Sequence, residues 1–260
     1  MTTRQGNNIE EDPLTTDYTK VFQDTEAVEK YENITYAPDS YASRINDRQR
    51  AYVRKLVERT FAGRKPVQHD FACGTGRVIR TLHGLVREAH GYDTSAEMMA
   101  KAAAVGSEAQ WHLVPMDGPV PEPVPAGTPA IVTMFRLLLN VDETVRDRAL
   151  AFAAKALPDA DAGLLVIENH GNTQSLRHLR ARRHSGQRWF AELSHAEVAE
   201  LLQRHGFEIV ERRGFSMLTQ AWYDRPGLRP VARAADAAAT RMPGTDGFAV
   251  NVIYVARRTK

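Results

Sequence analysis

Between Val67 and Glu168, short apolar runs alternate with stretches patterned for helices, and no other feature restricts the fold of this chain as strongly. The pattern predicts strands over 67–72, up to Asp93, near 111–114, over 130–137 and over 164–168. Helices are expected over 77–87, 96–104 and 142–157. Parallel strands need helical crossovers, so such alternation predicts a parallel sheet with helices on both faces. Upstream, Tyr52, Val53, Leu56, Val57 and Thr60 recur at helical spacing over 48–61, closed by Gly63 and Pro66. Downstream, Ser194 and Glu197 form a capping box for a helix over 196–205, which Gly206 ends. Two last strands, 207–211 and 248–256, flank a long excursion that contains Trp222, Tyr223 and an alanine-rich helix over 230–241.

At 260 residues the chain suits one domain with additions, and 43% hydrophobic against 25% charged side chains describes a globular protein. Its apolar runs fall far short of the roughly 20 residues that span a bilayer. The start lacks a basic-then-apolar leader pattern, so a cytoplasmic location is expected. Cys73 is the single cysteine, which excludes an intramolecular disulfide and weakens any metal reading; no metal site is expected. A net charge of +2 makes no case for nucleic acid. Residues 1–48 hold ten acidic and five basic side chains with interleaved tyrosines. They are expected to form a helical arm or lid, disordered over the first dozen residues, on a main domain over 49–260.

The chemistry concentrates at the run Asp70-Phe71-Ala72-Cys73-Gly74-Thr75-Gly76, where a strand turns into a helix. Glycine there permits positive φ and a close backbone approach to a ligand. Asp93 follows Gly74 by nineteen residues and ends the second strand, where a carboxylate can accept both hydroxyl hydrogens of a ribose. A dinucleotide site would carry a third small residue where this chain has Ile79, and the Gly-Lys-Ser/Thr of a phosphate-binding P-loop is absent.

Together with Gly91-Tyr92-Asp93-Thr94-Ser95-Ala96-Glu97-Met98-Met99 and Met116-Asp117, this run resembles the cofactor motifs of class I S-adenosylmethionine-dependent methyltransferases. The resemblance covers 66–168, more weakly the closing strands. It implies a Rossmann-like, doubly wound seven-stranded sheet, mostly parallel with an antiparallel last strand, plus the N-terminal helical arm. It also implies S-adenosylmethionine as cofactor and S-adenosylhomocysteine as product. On this resemblance Asp70, Ala72, Gly74 and Gly76 cradle the methionine portion and sugar, Asp93 holds the ribose, and Met116 and Asp117 flank the adenine. Phe135 and Arg136 line the gap between cofactor and acceptor. The chain departs from the family pattern in having Pro129-Ala130 where many members place an acid at the start of the fourth strand. It also has Phe135-Arg136-Leu137-Leu138 in place of the Asn/Asp-Pro-Pro-Tyr found in members that modify amino groups of DNA, RNA or protein.

Methyl transfer from a sulfonium needs alignment and exclusion of water, and a hydroxyl acceptor gains from a general base. His170, just after the fifth strand, is the candidate. Tyr36, Tyr41, Trp222 and Tyr223, on the arm and on the excursion over 219–246, are candidates to wall the acceptor pocket. Arg177 to Arg188 brings five arginines and no acid. A solvated face paired with the acidic arm is the favoured reading of it, an anchor for an acidic or phosphorylated acceptor the other. The expectation is methylation of oxygen or nitrogen on a small molecule, with homodimerisation left open and no membrane partner. An RNA methyltransferase and a non-catalytic cofactor-binding protein are the rivals.

Overall fold

A computed structural model of the chain describes residues 40–125, 129–179, 192–218, 220–223, 225, 227–242 and 244–259. Helix α1, Tyr41–Phe61, starts where the Ser40 hydroxyl accepts from the Ser43 amide at 3.0 Å and stops at Ala62 with φ of 47°. It buries Ile45, Gln49, Val53, Leu56, Val57 and Phe61 on one face. The helix begins seven residues before Arg48, so the end of the expected arm belongs to it. The rest of that arm, with Tyr36 and the stretch expected to be disordered, lies outside the described residues.

The chain then alternates as expected: β1 Val67–Phe71, α2 Arg77–Leu82, β2 Glu88–Asp93, α3 Ala96–Ala104, β3 Gln110–Leu113, β4 Ala130–Met134, α4 Glu143–Ala156 and β5 Gly163–Asn169. Next come α5 His195–Arg204, β6 Phe207–Gly214, the short α6 Gln220–Tyr223, α7 Arg229–Ala239, a 3-10 turn Thr245–Phe248 and β7 Val252–Arg258. The seven strands are ordered β3-β2-β1-β4-β5-β7-β6, with β7 antiparallel to both its neighbours. Every residue of β1, β4 and β5 is buried, as strands covered on both faces require. Along β4, Val132 and Met134 join the core under α4 and α5, while Ile131 joins the core under α1 and α2.

Several boundaries differ from expectation for local reasons. Strand β4 stops at Met134 instead of reaching residue 137, because Arg136 takes a left-handed φ of 62° that turns the chain off the sheet. Helix α2 ends at Leu82 instead of residue 87, ahead of Gly84 at φ 83°. Strand β6 runs on to Gly214, paired with Val252, and β7 starts only there, since residues 245–248 form the 3-10 turn. Among the described residues no helix is long and apolar enough to cross a membrane.

Candidate functional site

From β1 the chain builds the sheet outward through β2 and β3, then returns to place β4 on the other side of β1. The crevice of an open α/β sheet lies at such a reversal, beyond the carboxyl ends of the strands. At the tip of β1, Ala72, Gly74 and Gly76 all take left-handed φ, at 57°, 51° and 71°. A Cβ on Gly74 would meet nothing within 4 Å, so the space over the bend is open; one on Gly76 would collide with the Ser107 side chain. The Gly74 amide donates to Asp93 Oδ2 at 2.7 Å and the Ser95 amide to Asp93 Oδ1 at 3.0 Å. One carboxylate thereby ties the bend to the tip of β2. The Thr94 amide bonds the same carboxylate, which still has acceptor capacity for a ligand hydroxyl. Burial pushes the Asp93 carboxyl above the usual range, opposed by these backbone bonds.

Asp70 is 1% exposed. Its Oδ1 accepts from the Thr133 hydroxyl at 2.5 Å, while Oδ2 is buried with no hydrogen-bond donor among the described residues. Burial raises this carboxyl to about 7. A buried acid whose second oxygen lacks a donor, beside a bend with open space over Gly74, fits a cofactor that brings a cationic amino group. The free cysteine, Cys73, is buried with its thiol pushed well up by that burial, which makes it an inert filler.

Met116 and Asp117 are exposed in the turn after β3. The Val114 amide donates to the Asp93 carbonyl at 2.8 Å, which brings this turn beside the tip of β2. The Arg148 guanidinium of α4 gathers the carbonyls of Pro115, Met116 and Gly118 at 2.9, 2.6 and 2.9 Å. Nothing local in the sequence marks Arg148 for this task.

At the tip of β4, Phe135 is buried in the core beneath α1. The Arg136 amide donates to Glu168 Oε2 at 3.2 Å, and Gln49 of α1 donates to Glu168 Oε1 at 2.6 Å. Glu168 and Gln49 are both buried, and sequence reasoning missed both as parts of the site. His170 is 8% exposed and its Nδ1 has no hydrogen-bond partner among the described residues. Burial first, then the charges of Arg136, Arg77 and Arg177, hold its pKa well below the ordinary histidine value. The imidazole is therefore neutral at physiological pH.

The excursion between β6 and β7 leaves the same edge. Helix α1 leads into the start of β1, so its first residue, Tyr41, lies toward the strand tips. Its hydroxyl meets the Ser216 hydroxyl and donates to the Leu218 carbonyl at 3.0 Å. The Tyr41 and Tyr223 rings pack edge to face with centroids 5.3 Å apart. Tyr223 is buried and its hydroxyl donates to Asp236, so that hydroxyl is committed to the excursion itself. Trp222 is 38% exposed. Of the basic run, residues 180–191 lie outside the described residues; the described His178 pairs with Glu192 at 2.7 Å. A recess lined by Thr60, Arg64, Asp161 and Arg257 sits at the opposite edge of the sheet, remote from all of these groups.

A family model described as a methyltransferase domain matches residues 45–212, more than half of the 260-residue chain. No curated protein matches the sequence. Among solved structures, a chain of the complex between the Haloferax volcanii Trm112 methyltransferase activator and a methyltransferase is similar at 16% identity. The match covers 89% of this chain and 97% of that one, with a TM-score of 0.57. Magnesium protoporphyrin IX methyltransferase from Synechocystis PCC 6803 with bound SAH matches at 14% identity over 91% of this chain and 100% of that one, TM-score 0.55. A SAM-dependent methyltransferase from Thermotoga maritima matches at 15% identity over 90% and 97%, TM-score 0.53. At these identities the likeness is one of fold.

Proposed function

The chain belongs to the methyltransferase-domain family and is an S-adenosylmethionine-dependent methyltransferase, and from that premise we propose that it methylates an oxygen or nitrogen of a small molecule. The observation that carries the cofactor half is the Asp93 carboxylate bonded to the Gly74 amide at 2.7 Å, which joins the open glycine bend to the tip of the neighbouring strand. When bound, S-adenosylmethionine supplies a methyl group activated by its sulfonium. The lone pairs left on Asp93 accept the ribose hydroxyls. Asp70 meets the amino group through its buried Oδ2, and Ala72, Gly74 and Gly76 let the backbone approach the methionine portion and sugar. Met116 and Asp117, in the turn held by Arg148, flank the adenine, and Phe135 closes the floor.

On the acceptor side, Tyr41 and the excursion meet beyond the strand tips. A crevice bridged in this way suits a compact acceptor better than a polymer, and it keeps water from the reacting centre. Arg136, with Trp222 and Tyr223, completes the wall in this reading; Tyr36, the other residue expected there, lies outside the described residues. Neutral His170, with Nδ1 unpartnered, is the group able to take a proton from an acceptor hydroxyl.

Incubation with methyl-labelled S-adenosylmethionine and a panel of phenols, carboxylic acids and amines tests the proposal. Label recovered in a low-molecular-weight product is the expected result. Label in co-incubated RNA, or cofactor binding without transfer to any member of the panel, would sink it.

A further inference from the structure

Gln68 and Asp70 are two positions apart on β1 and share one face of the sheet, and Thr133 of β4 stands in register with Asp70. That face is the one covered by α1 and α2. There the positions two before and two after Thr133 are Ile131 and Phe135, and its register partner on β5 is Val166. Three polar side chains thus lie in an apolar layer, Gln68 and Thr133 fully buried and Asp70 1% exposed. Polar groups so placed need partners, and these find them in one another. Gln68 Nε2 donates to Thr133 Oγ1 at 3.3 Å, and the Thr133 hydroxyl donates to Asp70 Oδ1 at 2.5 Å.

The direction of this chain of bonds follows from its members. The amide nitrogen of Gln68 donates and does not accept, and a threonine hydroxyl has a single proton, which is thereby free for Asp70. Branching at Cβ restricts the Thr133 rotamer within its strand and holds the hydroxyl in place. A hydroxyl that itself accepts a bond is a stronger donor, and a donor to a carboxylate favours its ionised form. Of the charged groups around Asp70, Arg77 of α2 favours that form too, while Asp93 at the tip of β2 and, above all, burial oppose it. The neighbouring Cys73 thiol is neutral. These opposed influences leave the Asp70 carboxyl at about 7. Because Oδ1 is engaged as an acceptor, the proton of the neutral acid belongs on Oδ2, the oxygen with no partner among the described residues.

We propose that Gln68 and Thr133 form a positioning relay: they keep Oδ1 of Asp70 an acceptor, so that the acid loses its proton from Oδ2 when the cofactor's cationic amino group arrives. This rests on the methyltransferase reading and deepens its cofactor site. In that step the O–H bond at Oδ2 breaks, its electron pair stays on the carboxylate and the proton passes to solvent water, leaving ammonium against carboxylate. The empty crevice thereby avoids an unpaired buried charge, and the site ionises when a cation is there to meet it.

Calorimetry of the full chain with S-adenosylhomocysteine, run at about pH 6.5 and about pH 8 in buffers of different ionisation heat, counts the protons released on binding. Wild type should release more than half a proton per ligand at the lower pH and little at the higher. Thr133→Val keeps the shape but not the hydroxyl. It should move ionisation of Asp70 up by about one to two pH units, so that about half a proton or more is released at the higher pH. Thr133→Ser should restore the wild-type count, and Gln68→Met should shift it the same way by less. 5′-Methylthioadenosine, which lacks the amino-acid end, should release no proton and bind wild type and variants alike. A Thr133→Val count at the higher pH no larger than that of wild type would overturn the proposal. So would wild type that binds without releasing a proton at the lower pH, or an affinity loss equal for both ligands, the mark of a merely structural role. If Thr133→Val does not fold, Gln68→Met decides, and a count unchanged from wild type overturns the relay. Wild-type protein that fails to bind S-adenosylhomocysteine would instead refute the cofactor assignment beneath it.

Discussion

Asp93 and Asp70 perform different work with the same functional group. Asp93 accepts the backbone amides of Gly74 and Ser95, at 2.7 and 3.0 Å, and that of Thr94, and in the proposed site its remaining acceptor capacity takes a diol. Asp93→Ala should weaken S-adenosylhomocysteine by about 1–3 kcal/mol through lost charge-assisted bonds, read by calorimetry, and unchanged affinity would remove the ribose assignment. Asp70 is a buried acid raised to about 7. It must ionise to meet a cationic amino group, so affinity for S-adenosylhomocysteine should decline as pH falls below about 7, by up to about tenfold per unit. Asp70→Asn should flatten that profile over pH 5.5–8, and a profile as steep as wild type would reassign the amino group's partner. At Gly76, φ of 71° and the Ser107 side chain both oppose a Cβ. Gly76→Ala should cost about 1–3 kcal/mol of stability in urea unfolding even without ligand.

One element depends on a single carboxylate. Asp236 of α7 is buried and its Oδ1 accepts the amides of Met217 and Leu218 at 2.9 and 3.1 Å. Its Oδ2 takes the Tyr223 hydroxyl and lies 3.7 Å from the Arg48 guanidinium of α1. The excursion between β6 and β7 is thereby locked to itself and to α1, beyond the tips of the strands. Asp236→Ala leaves two amides and a hydroxyl without their acceptor, a loss of about 2–4 kcal/mol. Limited proteolysis should then cut within 216–248 faster than in wild type while S-adenosylhomocysteine affinity holds, since Asp93 lies across the sheet. Equal cleavage rates would show that the excursion is held by other contacts. Arg148 plays the matching part on the cofactor side. Its three carbonyl bonds set the turn of Met116 and Asp117 against the tip of β2.

Across the whole molecule, acid stability pits histidines against an aspartate. His69, fully buried, stacks on His90 with centroids 5.3 Å apart and packs against Tyr92 and Phe152. Burial, then the charges of His90 and His112, lower its pKa to about 4, and His90 and His112 shift the same way. A neutral buried histidine makes the unfolded state bind more protons between pH 6.5 and 4. Stability is therefore lost as pH falls through that window, by about 3 kcal/mol for His69. Asp70 has the opposite sign, because its raised folded pKa gives stability in acid that is lost as pH rises toward 7. Asp70→Asn should expose the histidine slope as a steeper fall in unfolding free energy from pH 7 to 5, and His69→Phe should reduce it; a pH-independent Asp70→Asn protein would contradict both assignments. Local pattern alone was enough to place the alternation of strands and helices, the glycine bend and Asp93, because each depends on residues a few positions apart or on one strand–helix–strand repeat. The antiparallel last strand was legible only through family resemblance, and its place between β5 and β6 only in the tertiary structure, since nothing in a strand's own residues names its neighbours. Tertiary structure alone decided that Gln49 meets Glu168 across 119 positions, that Arg148 reaches back 32 to the Met116 carbonyl, and that the Tyr223 hydroxyl meets Asp236. A buried polar side chain takes whichever partner the packed chain brings within about 3 Å, and that choice is made by distant segments coming together.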